Sequence, residues 1–199
     1  MQKNIPNILS ALRIALTPVF LFMYLQDDIV WRALSIAVFA IAAFTDFMDG
    51  YLARHFGVES KIGVFLDPLA DKVLTFAGFI CLAVIDPTLF PWWAVILIMF
   101  RDVVITVLRI YADQRKLELK TRFTAKIKTF AQMIFLYAFL LFGVFLKADV
   151  GVSSLVNDLF STQIPYYLML GVVLVTLYSG IEYLIMNPAL FRFRHANPA

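Results

Sequence analysis

Eight residues in two neighbouring apolar segments stand at spacings that could do chemistry: Asp46, Asp49, Gly50, Ala53 and Arg54 in one, Gly63, Asp67 and Asp71 in the next. A carboxylate in hydrocarbon costs several kcal/mol unless it is paired or bound to a cation, so intramembrane carboxylates are functional candidates. At about 100° per residue, Asp46, Asp49, Gly50 and Ala53 share roughly one third of a helix circumference, and Asp67 and Asp71 share a face. Hard oxygen ligands on two adjoining helices suit Mg²⁺ or Mn²⁺, and two such ions a few Å apart suit phosphoryl transfer. The competing reading is a set of buried ion pairs holding helices together, for which Arg54 and Lys72 are the neighbouring cations.

The elements that must position these residues are membrane helices. The chain is 62% hydrophobic and 16% charged with a mean hydropathy of +0.84, whereas soluble domains are about 25% charged. Apolar runs long enough to cross about 30 Å of hydrocarbon occur near 8–26, 31–53, 63–85, 92–111, 125–146 and 166–187. An all-α, six-span protein follows, read as a single domain over 1–199, since no linker, repeat or low-complexity tract divides it. The first run is expected to be retained, because Arg13 interrupts it and no small-x-small cleavage site follows. Turn signals stand at Gln26-Asp27-Asp28, at Asp86-Pro87 and across 147–165, where 151–161 reads equally as a short interfacial helix or an irregular loop. The lone Cys81, inside an apolar run, reads as a buried structural thiol.

Charge sets the orientation. With six spans, Lys3, Arg54, Lys61, Arg115, Lys116, Lys120, Arg122, Lys126, Lys128, Arg192 and Arg194 fall on one side, and Arg32 and Lys147 border the other. The basic side is expected to be cytoplasmic, with both termini there. The net charge of +3 then lies against anionic membrane lipids and phosphorylated substrates. Nucleic-acid binding is excluded as a reading, because no basic soluble domain presents that charge. Asp46 and Asp71 fall about 12–15 Å from the cytoplasmic ends of their helices, within reach of a water-filled pocket. Pro68, between Asp67 and Asp71, removes a backbone donor and favours a kink there. Gly50 and Gly63 allow a phosphate or nucleotide close to the backbone; tight helix packing explains either alone equally well.

From Asp46 to Arg54 the chain reads Asp-x-x-Asp-Gly-x-x-Ala-Arg, and after eight residues Gly63 to Asp71 reads Gly-x-x-x-Asp-x-x-x-Asp. This is similar at every position to the signature of the CDP-alcohol phosphotransferase family. The resemblance extends to Asn4–Arg13 (NIPNILSALR) and to Arg101–Gln132, including TAKIKTFAQ at its end, where Ala125 replaces a glycine common in bacterial members using glycerol 3-phosphate. It implies the family's membrane fold, an enzyme of the bacterial cytoplasmic (inner) membrane, and a homodimer. It also implies transfer of the phosphatidyl group of CDP-diacylglycerol to sn-glycerol 3-phosphate, giving phosphatidylglycerophosphate and CMP. By the same resemblance, Asp46, Asp49 and Asp67 hold one divalent ion, Asp46, Asp67 and Asp71 hold the other, and Asp71 takes the proton of the attacking hydroxyl. Gly50, Arg54 and Ser60 look like donor-binding positions, with Asp49, Ala53 and Gly63 beside them. Asn7 and Ser10 are candidates for the cytidine, for which helix N-capping is an equal explanation.

The acceptor candidates are Arg101, Arg109, Lys126 and Lys128. Arg101 lies well inside a span and requires an anion, which is either a substrate phosphate or the adjacent Asp102. Arg101 and Arg109 are about 80° apart on a helix, whereas Lys126 and Lys128 diverge by about 200°, so one of the two is expected to reach lipid headgroups instead. Alternatives are phosphatidylinositol-phosphate or cardiolipin synthesis within the family, and a metal-ion transporter or a lipid phosphatase outside it. The small residues Ala77 and Gly78 are compatible with dimerisation.

Overall fold

Polar turns and long apolar runs alternate along this chain, and the helices follow them closely. The computed structural model describes residues 5–56, 63–115, 117, 119, 123–146 and 151–191, with side chains apart from those of 5–9, 46–56, 63–71, 152, 189 and 191. Among these residues there are seven α-helices and no strand: α1 (Ile5–Tyr24), α2 (Ile29–Phe56), α3 (Gly63–Ile85), α4 (Trp92–Gln114), α5 (Phe123–Phe145), α6 (Val152–Ser161) and α7 (Ile164–Met186). A 3₁₀ turn, Pro188–Phe191, follows. The six long helices agree with the six apolar runs to within three residues at each end. The two readings of 151–161 resolve to a helix, α6, which buries Val156 and sets Phe160 against Phe90 and Phe139.

Side-chain caps explain two of the reversals. The Asp28 carboxylate accepts the Val30 N–H at 2.7 Å as α2 begins. Between α3 and α4, Asp86 Oδ1 accepts the N–H groups of Thr88 and Leu89 at 2.9 and 3.1 Å. Pro91 precedes α4 and Pro165 occupies the first turn of α7, where a missing N–H costs no helical bond.

The exterior is unlike that of a soluble protein, and several charged side chains lie in the interior. Arg13, Arg32, Asp102 and Lys128 are buried, while Phe22, Phe100, Phe130, Tyr178 and Ile185 face outward. Ordinary soluble proteins do the opposite. Helices α5 and α7, with mean hydropathies of 1.8 and 1.9, are long and apolar enough to cross a membrane. The core is aromatic: Phe79, Phe135, Phe139, Phe90 and Phe160 run from α3 through α5 to α6 with centroids 4.6–6.2 Å apart. Cys81 is buried and unpaired, as expected. Gly78 is also buried, but against Leu136 and Leu140 of α5 in the same chain. Its small size serves helix packing within the protomer.

At the end of the bundle that holds α6, Arg32 is buried without a carboxylate partner among the described residues. Its Nε donates to Tyr24 O at 3.1 Å, Nη1 to Gly143 O at 3.2 Å and Nη2 to Gln26 O at 3.4 Å. Tyr24 in turn donates its hydroxyl to Leu140 O at 2.8 Å. These carbonyls close α1 and α5, where helix ends leave acceptors unfilled and the helix dipole favours a cation.

Candidate active site

The sequence places the aspartates at the opposite end of the helices from Arg32. Asp46, Asp49, Gly50, Ala53 and Arg54 lie in the final turns of α2, and Gly63, Asp67 and Asp71 lie in the first turns of α3. Their side chains fall outside the described residues, as does that of Asn7 in α1; Ser60 lies outside them altogether. No cluster of three or more metal-ligating side chains occurs among the described residues.

Next to these helices, α1 presents a buried polar face. Ser10, Arg13 and Thr17, spaced three and four apart, are all buried. Arg13 donates from Nε to Ala42 O of α2 at 3.3 Å, one turn before Asp46. Thr17 donates to the Arg13 carbonyl at 2.8 Å. Ser10 lies inside α1, which begins at Ile5, so it is not the helix N-cap.

The four acceptor candidates are brought together. Arg101, Arg109, Lys126 and Lys128 line one cavity of about 790 Å³ bounded by α3, α4 and α5, along with Lys72 and Asp102. Lys72, immediately after Asp71, connects the aspartate-bearing turn of α3 to this space. The two α5 lysines diverge as helix geometry requires, Lys128 buried and Lys126 exposed. Both nonetheless reach the lining, because the cavity extends around the first turns of α5.

Asp102 is the cavity's described carboxylate. It receives hydrogen bonds from Lys128 Nζ through both oxygens and from Arg101 Nη1 at 3.1 Å. The partner anticipated for Arg101 is therefore present, and it is shared between two cations. Two positive charges against one negative leave the pair short of neutral, so a further anion is favoured beside it. Arg109 lies over the Tyr183 ring with its guanidinium carbon 5.5 Å from the centroid.

A polar seam joins α5 to α7 behind this wall. Thr124 donates to Glu182, and Gln132 donates to Thr176 at 3.2 Å. Thr124 and Gln132 share a face of α5 with Lys128, whose partner Asp102 lies on α4. Arg101 Nη2 donates to Ser179 Oγ of α7 at 2.5 Å. The Thr176 and Ser179 contacts were not apparent in the sequence, because serine and threonine are routine in apolar helices; Glu182, a charged residue in the same run, was the signal that could have found the seam.

The sequence matches the CDP-alcohol phosphatidyltransferase family over residues 3–179, and the chain belongs to it. It is 33% identical over 183 residues to the probable phosphatidylglycerophosphate synthase of Mycobacterium tuberculosis, a match covering 90% of this chain and 79% of that protein. It is 37% identical over 151 residues to the CDP-diacylglycerol–glycerol-3-phosphate 3-phosphatidyltransferase of Bacillus subtilis, covering 69% and 77%. The protein of that same name from Escherichia coli is 33% identical over 140 residues, covering 67% and 75%.

Proposed function

We propose that the chain transfers the phosphatidyl group of CDP-diacylglycerol to sn-glycerol 3-phosphate, releasing CMP and forming phosphatidylglycerophosphate. The observation that carries the acceptor assignment is the cavity lined by Lys72, Arg101, Arg109, Lys126 and Lys128 with Asp102 as its described carboxylate. A neutral polyol offers no charge to these side chains. A phosphomonoester brings up to two negative charges and several acceptor oxygens, and arginine and lysine bind such groups through charge-assisted hydrogen bonds. The names of the relatives support the same donor and acceptor.

In this reading the acceptor phosphate sits against Arg109 and Lys126, with Arg101 and Lys128 forming the back wall. Its primary hydroxyl faces α3. Asp71 takes the hydroxyl proton while the oxygen forms a bond to the phosphatidyl phosphorus, and the bond from that phosphorus to CMP breaks. Asp46, Asp49, Asp67 and Asp71 form a donor set suited to two divalent cations, Mg²⁺ or Mn²⁺, being hard carboxylates at helical spacing on consecutive helices. Such ions, when bound, supply neutralisation of pyrophosphate charge. Gly50, Ala53, Arg54, Ser60 and Gly63 contact the donor, with Asn7 and Ser10 toward its cytidine.

Six membrane spans are part of the proposal. Helices α1 to α5 and α7 are 20–28 residues long, and at 1.5 Å per residue each reaches about 30 Å or more. The excess of lysine and arginine at the end carrying Arg54 and Arg115 supports a cytoplasmic active site in the inner membrane. Homodimerisation belongs to the same reading and is tested by mass measurement in detergent.

The decisive experiment measures CMP release by the purified enzyme with CDP-diacylglycerol and, separately, glycerol 3-phosphate, inositol phosphate, serine or phosphatidylglycerol. Release with glycerol 3-phosphate alone is expected. Preference for another acceptor would move the assignment within the family; metal flux in proteoliposomes without CMP release would reject it.

A further inference from the structure

Helix α7 carries a glycine where a helix interior is better served by alanine. Glycine destabilises a helix interior relative to alanine, so a buried helical glycine calls for a packing reason. At Gly180 the reason is visible: a Cβ would stand 3.0 Å from both Cγ and Nε of Arg101. The Arg101 side chain therefore lies flat against α7 over the bare Gly180 backbone. One residue earlier, Ser179 Oγ accepts the Arg101 Nη2 donor, and on the other side Asp102 accepts from Nη1.

Together these contacts hold the guanidinium from its stem to its tip. We propose that Ser179 and Gly180 are positioning residues for the acceptor site: α7 directs Arg101 to the cavity wall, so a helix that supplies none of the cavity's described cations still sets acceptor affinity. The inference rests on the reading of the cavity as the acceptor-phosphate site. Geometry makes it specific. Nη1 and Nη2 each retain a second hydrogen after bonding Asp102 and Ser179, and those hydrogens are what an acceptor phosphate beside Lys128 would receive. Tilting the guanidinium by a few tenths of an ångström misaligns both at once, and hydrogen bonds weaken steeply with angle.

The test compares Gly180→Ala, Gly180→Val and Ser179→Ala with Gly171→Ala, a control on the same helix where an added Cβ meets nothing within 4 Å. Initial rates of CMP release are measured against glycerol 3-phosphate and against CDP-diacylglycerol. Gly180→Ala and Ser179→Ala are expected to raise the KM for glycerol 3-phosphate about three- to tenfold, and Gly180→Val further, with the KM for CDP-diacylglycerol changed less than about twofold. Gly171→Ala should leave both unchanged. Each substitution is then placed in an Arg101→Ala background. If α7 acts through Arg101, Gly180→Ala and Ser179→Ala should have no further effect there.

The outcomes separate the two claims. An unchanged acceptor KM in Arg101→Ala alone would overturn the assignment of the cavity, and the positioning role with it. A raised KM in Arg101→Ala with none in Gly180→Ala and Ser179→Ala would overturn positioning alone. Equal loss for donor and acceptor, or loss persisting in the Arg101→Ala background, would reduce the pair to general packing and reject the inference. Thermal unfolding and elution in detergent identify a variant that fails to fold; Ser179→Ala, which removes one oxygen and adds no volume, then carries the decision.

Discussion

Two arginines within the bundle, Arg32 buried and Arg101 partly buried, have different fates. Arg32, beside α6, spends each of its three nitrogens on a backbone carbonyl: Tyr24, Gly143 and Gln26. Arg101 gives Nη1 to Asp102 and Nη2 to Ser179, while Nε has no hydrogen-bond partner among the described residues, and it borders a cavity with four other cations. Both are largely withdrawn from solvent. What separates them is whether a cavity adjoins the N–H donors that remain. Arg32 uses helix-end carbonyls as a distributed counter-charge and locks two helices together. Arg101 is held in place and keeps capacity for an incoming anion. An ionisable residue in a membrane segment is a candidate site by default, and Arg32 shows when a structural role replaces that default: at a helix end, with carbonyls enough to satisfy it.

The comparison predicts that chemistry fails when the Arg101 end is altered and stability fails when the Arg32 end is altered. The largest expected effect is Asp71→Asn, which keeps size but removes the charge. Its kcat for CMP release should fall about a thousandfold or more, since it loses proton acceptance and a metal ligand together. A near-normal kcat would return Asp71 to the role of a structural partner of Lys72. Chelation by EDTA should stop CMP release, with recovery on adding Mg²⁺ or Mn²⁺.

Donor binding is the next smaller effect. Asp67→Asn should weaken metal-dependent affinity for CDP-diacylglycerol more than Asp71→Asn does, because Asp67 is proposed to serve both ions. Isothermal titration with and without Mg²⁺ measures the difference, and equal affinities for the two variants would refute the division of roles. Below this come Arg109→Ala and Lys126→Ala, each losing a charged hydrogen bond of about 1.5–3 kcal/mol. The KM for glycerol 3-phosphate should rise roughly tenfold to a hundredfold, with the donor KM nearly unchanged. A parallel rise in both constants would remove these residues from the acceptor site.

These residues were legible in the sequence for physical reasons. Charged groups in apolar runs are too costly to be incidental, so Asp46, Asp49, Asp67, Asp71, Arg101 and Arg109 stood out by type, and helical spacing grouped them. The long helices were legible because apolar run length sets span length. The α7 contribution was not. Ser179 is 78 residues from Arg101, and serine and glycine are routine in apolar helices. Lys72 was read only as a neighbour of Asp71, although it also lines the cavity. The ten-residue α6 was undecidable because its helicity depends on tertiary contacts such as Phe160 with Phe90 and Phe139, and isolated helices of that length are marginal.

The smallest expected effect on catalysis, and the sharpest test of the comparison, is Arg32→Leu. The substitution keeps an apolar stem but removes the donors that Tyr24, Gln26 and Gly143 carbonyls receive. Buried acceptors left unsatisfied cost about 1–3 kcal/mol each, reduced where water reaches them at the helix ends. Loss of the guanidinium over the Tyr24 ring, 5.4 Å from its centroid, adds to the cost. The thermal midpoint in detergent should therefore fall by several degrees. The kinetic constants for CDP-diacylglycerol and glycerol 3-phosphate, measured below that midpoint, should stay within about twofold of the unsubstituted enzyme, because none of these contacts lines the cavity. Arg101→Leu should show the opposite pattern, raising the acceptor KM while lowering the midpoint less. A selective rise in acceptor KM for Arg32→Leu with no change in midpoint would reverse the roles assigned to the two ends.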